Sequence, residues 1–258
     1  MNNQDLFSLT DKVAAVVGGG GVLAGAMAEG LAEAGAHVAI LDYNKEAAEA
    51  RAEAIRTHGR RAIAVQTDAT KKADLQKALR EILDSFGHVD VLVNAAGINS
   101  ATPFFEIEES EWQRILDVNL KSVFLACQVF GKAMVDAGRG GSIINISSVS
   151  SGPPLSKVFT YAVAKAGVNQ ITQFLARDLA PHNVRVNAIL PGFFPAEQNR
   201  KVLTPDRVAS ILAHTPMKRF GEARELIGAT LLLASDRAGA FITGDELIVD
   251  GGYHAITI

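Results

Sequence analysis

The sequence predicts a doubly wound α/β fold: one domain with a mostly parallel, seven-stranded sheet and helices on both faces. Three observations predict it. Short β-rich apolar runs alternate with longer helical patterns along all 258 residues, the order expected of consecutive β–α–β units. The strand-like runs are continuously apolar rather than alternating polar and apolar, as strands buried on both faces must be. No linker, charge block or low-complexity stretch interrupts the pattern, so residues 1–258 read as a single domain.

The elements follow in order. "VAAVV" (13–17) reads as the first strand and leads into a helical stretch over 22–34. "HVAILD" (37–42) is the second strand. "NKEAAEARAEAIRTHG" then forms a helix, with Asn44 as its N-cap and Gly59 as its stop. "AIAVQTD" (62–68) precedes a charged helix at about 71–86, and "VDVLVNAAG" (89–97) precedes a loop and a helix over about 108–137. "GSIINISS" (141–148) is followed by a Ser/Gly/Pro loop and a helix over about 161–179. "VRVNAIL" (184–190) leads into "PGFFP", and a last helix near 222–234 leads to "ELIVD" (246–250). Residues 191–221 show no clear period and read as an irregular lid or substrate loop.

Composition narrows the function. Hydrophobic residues make up 48% and charged residues 21%, which suits a chain with a sizeable core. Lys and Arg total 25 against 28 Asp and Glu, a net charge of −3. So balanced a chain lacks the basic footprint of a nucleic-acid or anionic-membrane binder. Cys127, the single cysteine, sits in the apolar run "VFLACQVF" and reads as a small core residue. One cysteine makes no internal disulfide, and His58, His88 and His182 form no ligand cluster, so no metal is expected. "MNNQDLFSLTDK" has no basic segment followed by an apolar one, and no uninterrupted apolar run nears ~20 residues. The expected location is the cytoplasm.

The chemistry-bearing residues lie where strands give way to helices. In "VVGGGGVLAGAMA", Gly19, Gly21 and Ala24 fit the G-x-G-x-x-G/A spacing of a dinucleotide turn, in which glycines admit a pyrophosphate to a helix N-terminus. Four successive glycines satisfy many spacings, so the turn gains meaning from Asp42, 23 residues after Gly19. A carboxylate there would accept hydrogen bonds from the adenosine ribose and repel a 2′-phosphate. Tyr43 and Asn44 follow, with no arginine to receive that phosphate. NAD is therefore favoured over NADP. Tyr161 and Lys165 are four apart, on one face of a helix. Ser148 stands thirteen residues earlier, at the end of a strand.

Together, Ser148, Tyr161-x-x-x-Lys165, "NAAG" at 94–97, Asn119 in "DVNLKSVF", "PG" at 191–192 and "VDGG" at 249–252 resemble the short-chain dehydrogenase/reductase family. The resemblance runs over about residues 9–253 and rests on several motifs in the family's order. It implies a Rossmann domain, a nicotinamide cofactor and a homotetramer. Tyr161 would be the acid/base, its pKa lowered by the Lys165 ammonium and by the oxidised cofactor's charge. Ser148 would bind the substrate oxygen. Asn119 would hold a water in a proton relay through the ribose and Lys165. The implied cofactor contacts are Gly18, Gly20, Gly21, Val22, Leu23, Asp42, Tyr43, Asp68, Ala69, Asn94, Ala95, Gly97, Tyr161, Lys165, Pro191, Gly192 and Phe194. Among them Asp68 and Ala69 would border the adenine, and Asn94 would mainly brace the sheet. Ile189 and the segment after Gly192 would approach the nicotinamide.

Against the family's T-G-x-x-x-G-x-G pattern the chain keeps Gly18, but Val17 replaces the threonine, Val22 the second glycine and Ala24 the third. Val22 does not readily take a positive φ, so residues 19–21 are expected to supply that freedom. After the "PG", "FFPAEQNR" replaces the family's usual threonine. Gln198, Asn199 and Arg200 there, with Asn99, Ser150 and Lys157, make a polar set suited to a polyhydroxy acid, with arginine as the natural partner of a carboxylate. The substrate contacts expected are those residues with Ser148 and Tyr161.

The glycine turn and "PGFFPAEQNR" resemble the D-mannonate oxidoreductase (fructuronate reductase) branch, which implies NAD-linked interconversion of a keto sugar acid and its hydroxy acid. A gluconate 5-dehydrogenase-like enzyme and a 3-oxoacyl thioester reductase are the alternatives. A cofactor-binding regulator without activity fits an intact Ser/Tyr/Lys/Asn set poorly.

Overall fold

The computed structural model describes residues 3–153, 155–195 and 203–255. Seven strands form one sheet: β1 (Val13–Val17), β2 (His37–Asp42), β3 (Ala62–Gln66), β4 (Val91–Asn94), β5 (Gly141–Ile146), β6 (Val184–Pro191) and β7 (Glu246–Val249). Their order is β3-β2-β1-β4-β5-β6-β7, and each pairing in that order is parallel. The chain order reverses between β1 and β4, the crevice where such sheets take ligands.

The helices are α1 (Asn3–Leu6), α2 (Val22–Glu33), α3 (Lys45–Thr57), α4 (Lys72–Phe86), α5 (Glu109–Leu116), α6 (Ser122–Ala137), α7 (Phe159–Leu179), α8 (Pro205–His214) and α9 (Ile227–Ala234). Residues of β1 alternate between two cores. Ala14 and Val16 pack with α2, α3 and α9, while Val13, Ala15 and Val17 pack with α4, α6 and α7. Both faces of the strand are dry, which is why its sequence never alternates.

Several boundaries depart from the sequence expectations. The ladders end before Asp68, Gly97 and Ser148, so the last residues of three predicted strands are loops on the C-terminal edge. The expected helix over 108–137 is broken by a π-helical turn at Asp117–Lys121. The Asn119 side chain donates to the Ile115 carbonyl at 2.9 Å. The Ser122 N–H reaches back five residues to the Asp117 carbonyl, while the Ser122 hydroxyl takes the Val118 carbonyl at 2.6 Å. The run 109–137 is long and apolar enough by composition to cross a membrane. However, 56% of its apolar window is buried inside the fold, and Val123, Ala126 and Phe130 lie in the core beneath the sheet. Residues 191–221 are not wholly irregular, because α8 occupies Pro205–His214. Thr204 caps it by accepting the Arg207 N–H, and Pro205 opens its first turn. The last helix begins as a 3₁₀ turn at Ala223–Leu226 before α9.

Candidate active site

The cofactor side is built at the ends of β1 and β2. Gly18 has φ +78°, and a Cβ there would stand 2.7 Å from the Ala96 nitrogen. Backbone angle and close approach both demand glycine at this position. It is the residue in this turn with positive φ, so the freedom expected at residues 19–21 is needed one residue earlier. Val22 already belongs to α2 and is 47% exposed. Val17 lies in the apolar cluster, 2% exposed, so a threonine hydroxyl there would lose its water. Gly21 caps α2 without a side-chain bond, which leaves the first-turn N–H groups, including those of Val22 and Leu23, directed at an anion site. Leu23 itself packs partly against the core.

Asp42 stands beside this turn. One oxygen accepts the Gly20 N–H at 3.0 Å and the other the Asn44 N–H at 2.9 Å. The carboxylate is thereby fixed, and each oxygen keeps a lone pair outward. Tyr43 is 74% exposed beside it. Asp68 accepts the Thr70 N–H and hydroxyl at 3.1 and 2.6 Å. Desolvation raises its pKa, but hydrogen bonds from Thr70 and Lys71 outweigh this and hold it below the usual carboxylate range. Ala69 packs against the core, and the Ala95 N–H donates to Val17. The Asn94 side chain points inward, donating to Asn145 Oδ1 at 2.9 Å and Cys127 Sγ at 3.4 Å. It braces β4 against β5, as expected. Cys127 is buried and its thiol is pushed up to about 12 by that burial, so it is a core residue and not a nucleophile. A cradle without Cβ atoms, uncapped helix N–H groups and a fixed carboxylate fit a dinucleotide. We expect Gly18→Ala to weaken NADH binding at least tenfold, through a left-handed penalty of about 1–2 kcal/mol and the clash with Ala96. An unchanged dissociation constant in a fluorescence titration would show that the turn has room to spare.

The catalytic candidates meet at the end of β5. Ser148 is the extended residue after the strand, and its Oγ accepts the Ser150 N–H at 3.1 Å. The Ser150 hydroxyl bonds the same oxygen at 3.0 Å. Ser150 is 2% exposed, so it orients Ser148 rather than meeting a substrate, a correction to the sequence expectation. Lys165 is 3% exposed. Its ammonium donates to the Ile146 carbonyl at 2.7 Å and lies 5.4 Å from the Tyr161 ring centroid. Ser147 Oγ donates to the Lys165 carbonyl at 3.1 Å, tying α7 to the strand end.

The protein's own groups set the direction of the Tyr161 pKa before an oxidised cofactor adds its charge. Burial of the Tyr161 hydroxyl pushes it up, opposed by a hydrogen bond with Ser148. Burial brings Lys165 down to about 8. Desolvation disfavours the charged form of each.

Asn119 is fully buried. Its Nδ2 donates to Ile98 and Ile115 carbonyls at 2.8 and 2.9 Å, and its Oδ1 accepts the Ile98 N–H at 3.3 Å. Both amide hydrogens are committed, so only Oδ1 retains capacity for a relay water. Gly97 lies between the two groups. A Cβ there would be 2.9 Å from Asn119 Oδ1 and 3.8 Å from Lys165 Nζ.

The remaining candidates are more dispersed. Pro191 ends β6 above the buried Ile189, and the Gly192 N–H donates to Val249 at 2.9 Å. Phe194 is 7% exposed and packs in the core with Gly221 beneath its ring. Its ring is committed to the core, which leaves its backbone for a cofactor contact. Asn99 is exposed and accepts the Ser100 N–H at 2.7 Å. Lys157 is exposed with φ +64°. Gln198, Asn199 and Arg200 lie outside the described residues. Sequence reasoning missed Arg207, which stands on α8 and donates from Nη2 to the Ser156 carbonyl at 3.1 Å. The signal was present in "LTPDR", a Thr cap followed by Pro at the first helical position.

Comparison with known proteins agrees with this arrangement. A protein-family model described as enoyl-(acyl carrier protein) reductase matches residues 21–254. The 5-keto-D-gluconate 5-reductase of Escherichia coli K12 is 36% identical, over 96% of this chain and 97% of that protein. A Haemophilus influenza structure with bound NAD, provisionally named a D-mannonate oxidoreductase, is 35% identical. It superposes with a TM-score of 0.93 over 99% of both chains. The gluconate 5-dehydrogenase of Burkholderia cenocepacia, in complex with NADP and tartrate, is 34% identical with a TM-score of 0.94, over 99% of this chain and 100% of that one. With the glycine turn, the Ser148, Tyr161 and Lys165 grouping and matches along nearly its whole length, the chain belongs to the short-chain dehydrogenase/reductase family of nicotinamide-dependent oxidoreductases.

Proposed function

We propose that this protein is an NAD-dependent oxidoreductase that interconverts a keto sugar acid and its hydroxy acid, as a D-mannonate oxidoreductase (fructuronate reductase) does. The grouping of Ser148, Tyr161 and Lys165 at the end of β5 carries the chemistry of this reading. The bound nicotinamide supplies or accepts the hydride. Tyr161 gives a proton to the carbonyl oxygen in reduction and removes it in oxidation. Ser148, steadied by Ser150, donates a hydrogen bond to that oxygen as charge develops. Lys165 keeps two donors beyond its bond to Ile146, and its positive charge favours the Tyr161 phenolate. Asn119 holds the Gly97–Ile98 turn and offers Oδ1 to a relay water.

Two relatives named for keto-gluconate or gluconate chemistry, and one provisionally named for mannonate, support the sugar-acid class. A gluconate 5-dehydrogenase is an equal second reading, favoured by the same relatives. The test is NADH and NADPH oxidation against fructuronate, tagaturonate, 5-ketogluconate and an acetoacetyl thioester. Turnover of the thioester alone would overturn the sugar-acid reading.

For the cofactor, the fixed carboxylate of Asp42 supports NAD. Asp42→Ala is expected to narrow the preference for NADH over NADPH at least tenfold in kcat/KM, by removing the charge that repels a 2′-phosphate. An unaltered ratio would mean that specificity lies elsewhere. The family's homotetramer belongs to this proposal too, and Phe124, Val163 and Phe174 on α6 and α7, 47%, 40% and 59% exposed, supply apolar surface for it.

A further inference from the structure

A polar cleft of about 170 Å³ opens beside the catalytic loop, between that loop, Phe193 and α8. Its volume equals that of about five or six waters at ~30 Å³ each, enough for a carboxylate and the adjoining carbon of a small acid. Ser156, Arg207, Ser210 and His214 give it polar walls. Tyr253 closes one side, with its ring 4.6 Å from that of His214 and 5.0 Å from that of Phe193. Its position follows from the chain. Ser156 lies between Ser148 and Tyr161 in the chain, and Phe193 directly follows the Pro191–Gly192 turn, so the cleft is built from segments that adjoin the catalytic residues and the expected nicotinamide side.

The charge in the cleft is one-sided. Among the described residues no carboxylate lines it, and none lies within ion-pair distance of Arg207. The Arg207 guanidinium spends Nη2 on the Ser156 carbonyl at 3.1 Å and Nη1 on the Ser156 hydroxyl at a long 3.4 Å. A guanidinium has five donors, so most remain. The field of this cation also reaches Tyr253, where it opposes the rise that burial imposes on the phenol. A half-buried arginine with no acid beside it among the described residues, in a cleft walled by hydroxyls and an imidazole, is chemistry for an anion with hydroxyls beside it.

We propose that this cleft seats the carboxylate of the substrate and that Arg207 is its specificity-determining partner, with the reacting carbonyl reaching back to Ser148 and Tyr161. This rests on the sugar-acid reading above and moves carboxylate recognition onto α8. The cleft rewards a charged end on an otherwise hydroxylated chain and gives nothing to the same chain ending in an alcohol.

The test compares gluconate with glucitol, which differ by that one group, as ligands of the NADH-loaded enzyme in calorimetric titrations. The wild type is expected to bind gluconate and to prefer it over glucitol at least tenfold. In Arg207→Gln the gluconate dissociation constant is expected to rise tenfold to a hundredfold, the span of a lost charged hydrogen-bond pair. Glucitol and NADH binding should change less than threefold, and Arg207→Lys should recover part of the loss. If gluconate and glucitol weaken together, or neither weakens, or the wild type binds them equally, Arg207 does not read the carboxylate. The sugar-acid function has its own, separate failure. Wild-type enzyme that turns over none of the sugar acids in the substrate panel refutes that reading, whereas turnover of an acid with an unchanged KM in Arg207→Gln refutes only the role of the cleft.

Discussion

Replacing Tyr161 by phenylalanine is expected to lower dehydrogenase turnover at least a hundredfold while NADH binding stays within a few-fold of wild type. Positioned proton transfer is worth about 10²–10⁴ in rate, and phenylalanine deletes only the hydroxyl. The ring stays, with its place on the same face of α7 as Lys165. The fold should tolerate the change, because the ring and its packing are kept and the lost hydroxyl bonds the Ser148 side chain. Stopped-flow single turnover separates the outcomes. Hydride transfer should slow and cofactor association should not. Turnover within a few-fold of wild type would remove Tyr161 from the proton path.

Lys165→Met is expected to abolish useful turnover and, at neutral pH, to make the protein more stable. The ammonium is buried, and its pKa falls from an ordinary 10.5 to about 8. That difference corresponds to about 3 kcal/mol against the charged folded form. Methionine removes this cost but strands the Ile146 carbonyl, which Lys165 holds at 2.7 Å. An orphaned carbonyl costs about 1–3 kcal/mol, so the net gain is about 0–2 kcal/mol, or at most a few degrees in Tm. The pH dependence has a defined sign. Between about pH 8 and 10.5 the unfolded chain binds the Lys165 proton and the folded chain does not. Wild-type stability therefore gains from this group as pH rises through that window. The variant lacks the gain and keeps the orphaned carbonyl, so its advantage should be full below pH 8 and reversed by pH 10.5. Calorimetry at pH 7 and pH 10.5 checks this, and a variant less stable at pH 7 would show that the ammonium is better solvated than its burial implies.

Much of this site was legible in the sequence because its pieces are local. The turn into α2, the spacing of Tyr161 and Lys165 and the position of Ser148 after a strand are short-range patterns. What misled was equally specific. Ser150 read as a substrate contact because it is polar and near Ser148, yet its hydroxyl is used on Ser148 itself. That the Phe194 ring turns into the core, where Gly221 opens space for it, is also not legible locally. The helix over 108–137 read as continuous, because nothing in the local pattern reveals that the Ser122 N–H reaches Asp117 while its hydroxyl takes the Val118 carbonyl. The α8 helix was missed although its cap is spelled out, since its apolar face has few core partners: Ile211 is its one buried residue.

The sequence by itself determined the class of the molecule: strands dry on both faces, helices between them, and hydroxyl, phenol and amine groups at the strand-to-helix turns. These follow from periodicity and capping, which act over a few residues. The tertiary structure alone decided which of those groups act together and in what state of charge. Desolvation of Tyr161 and Lys165, the capture of the Asn119 amide hydrogens and the placing of the Arg207 charge beside Ser156 are sums over residues distant in the chain. Only packing brings those residues to one edge of the sheet.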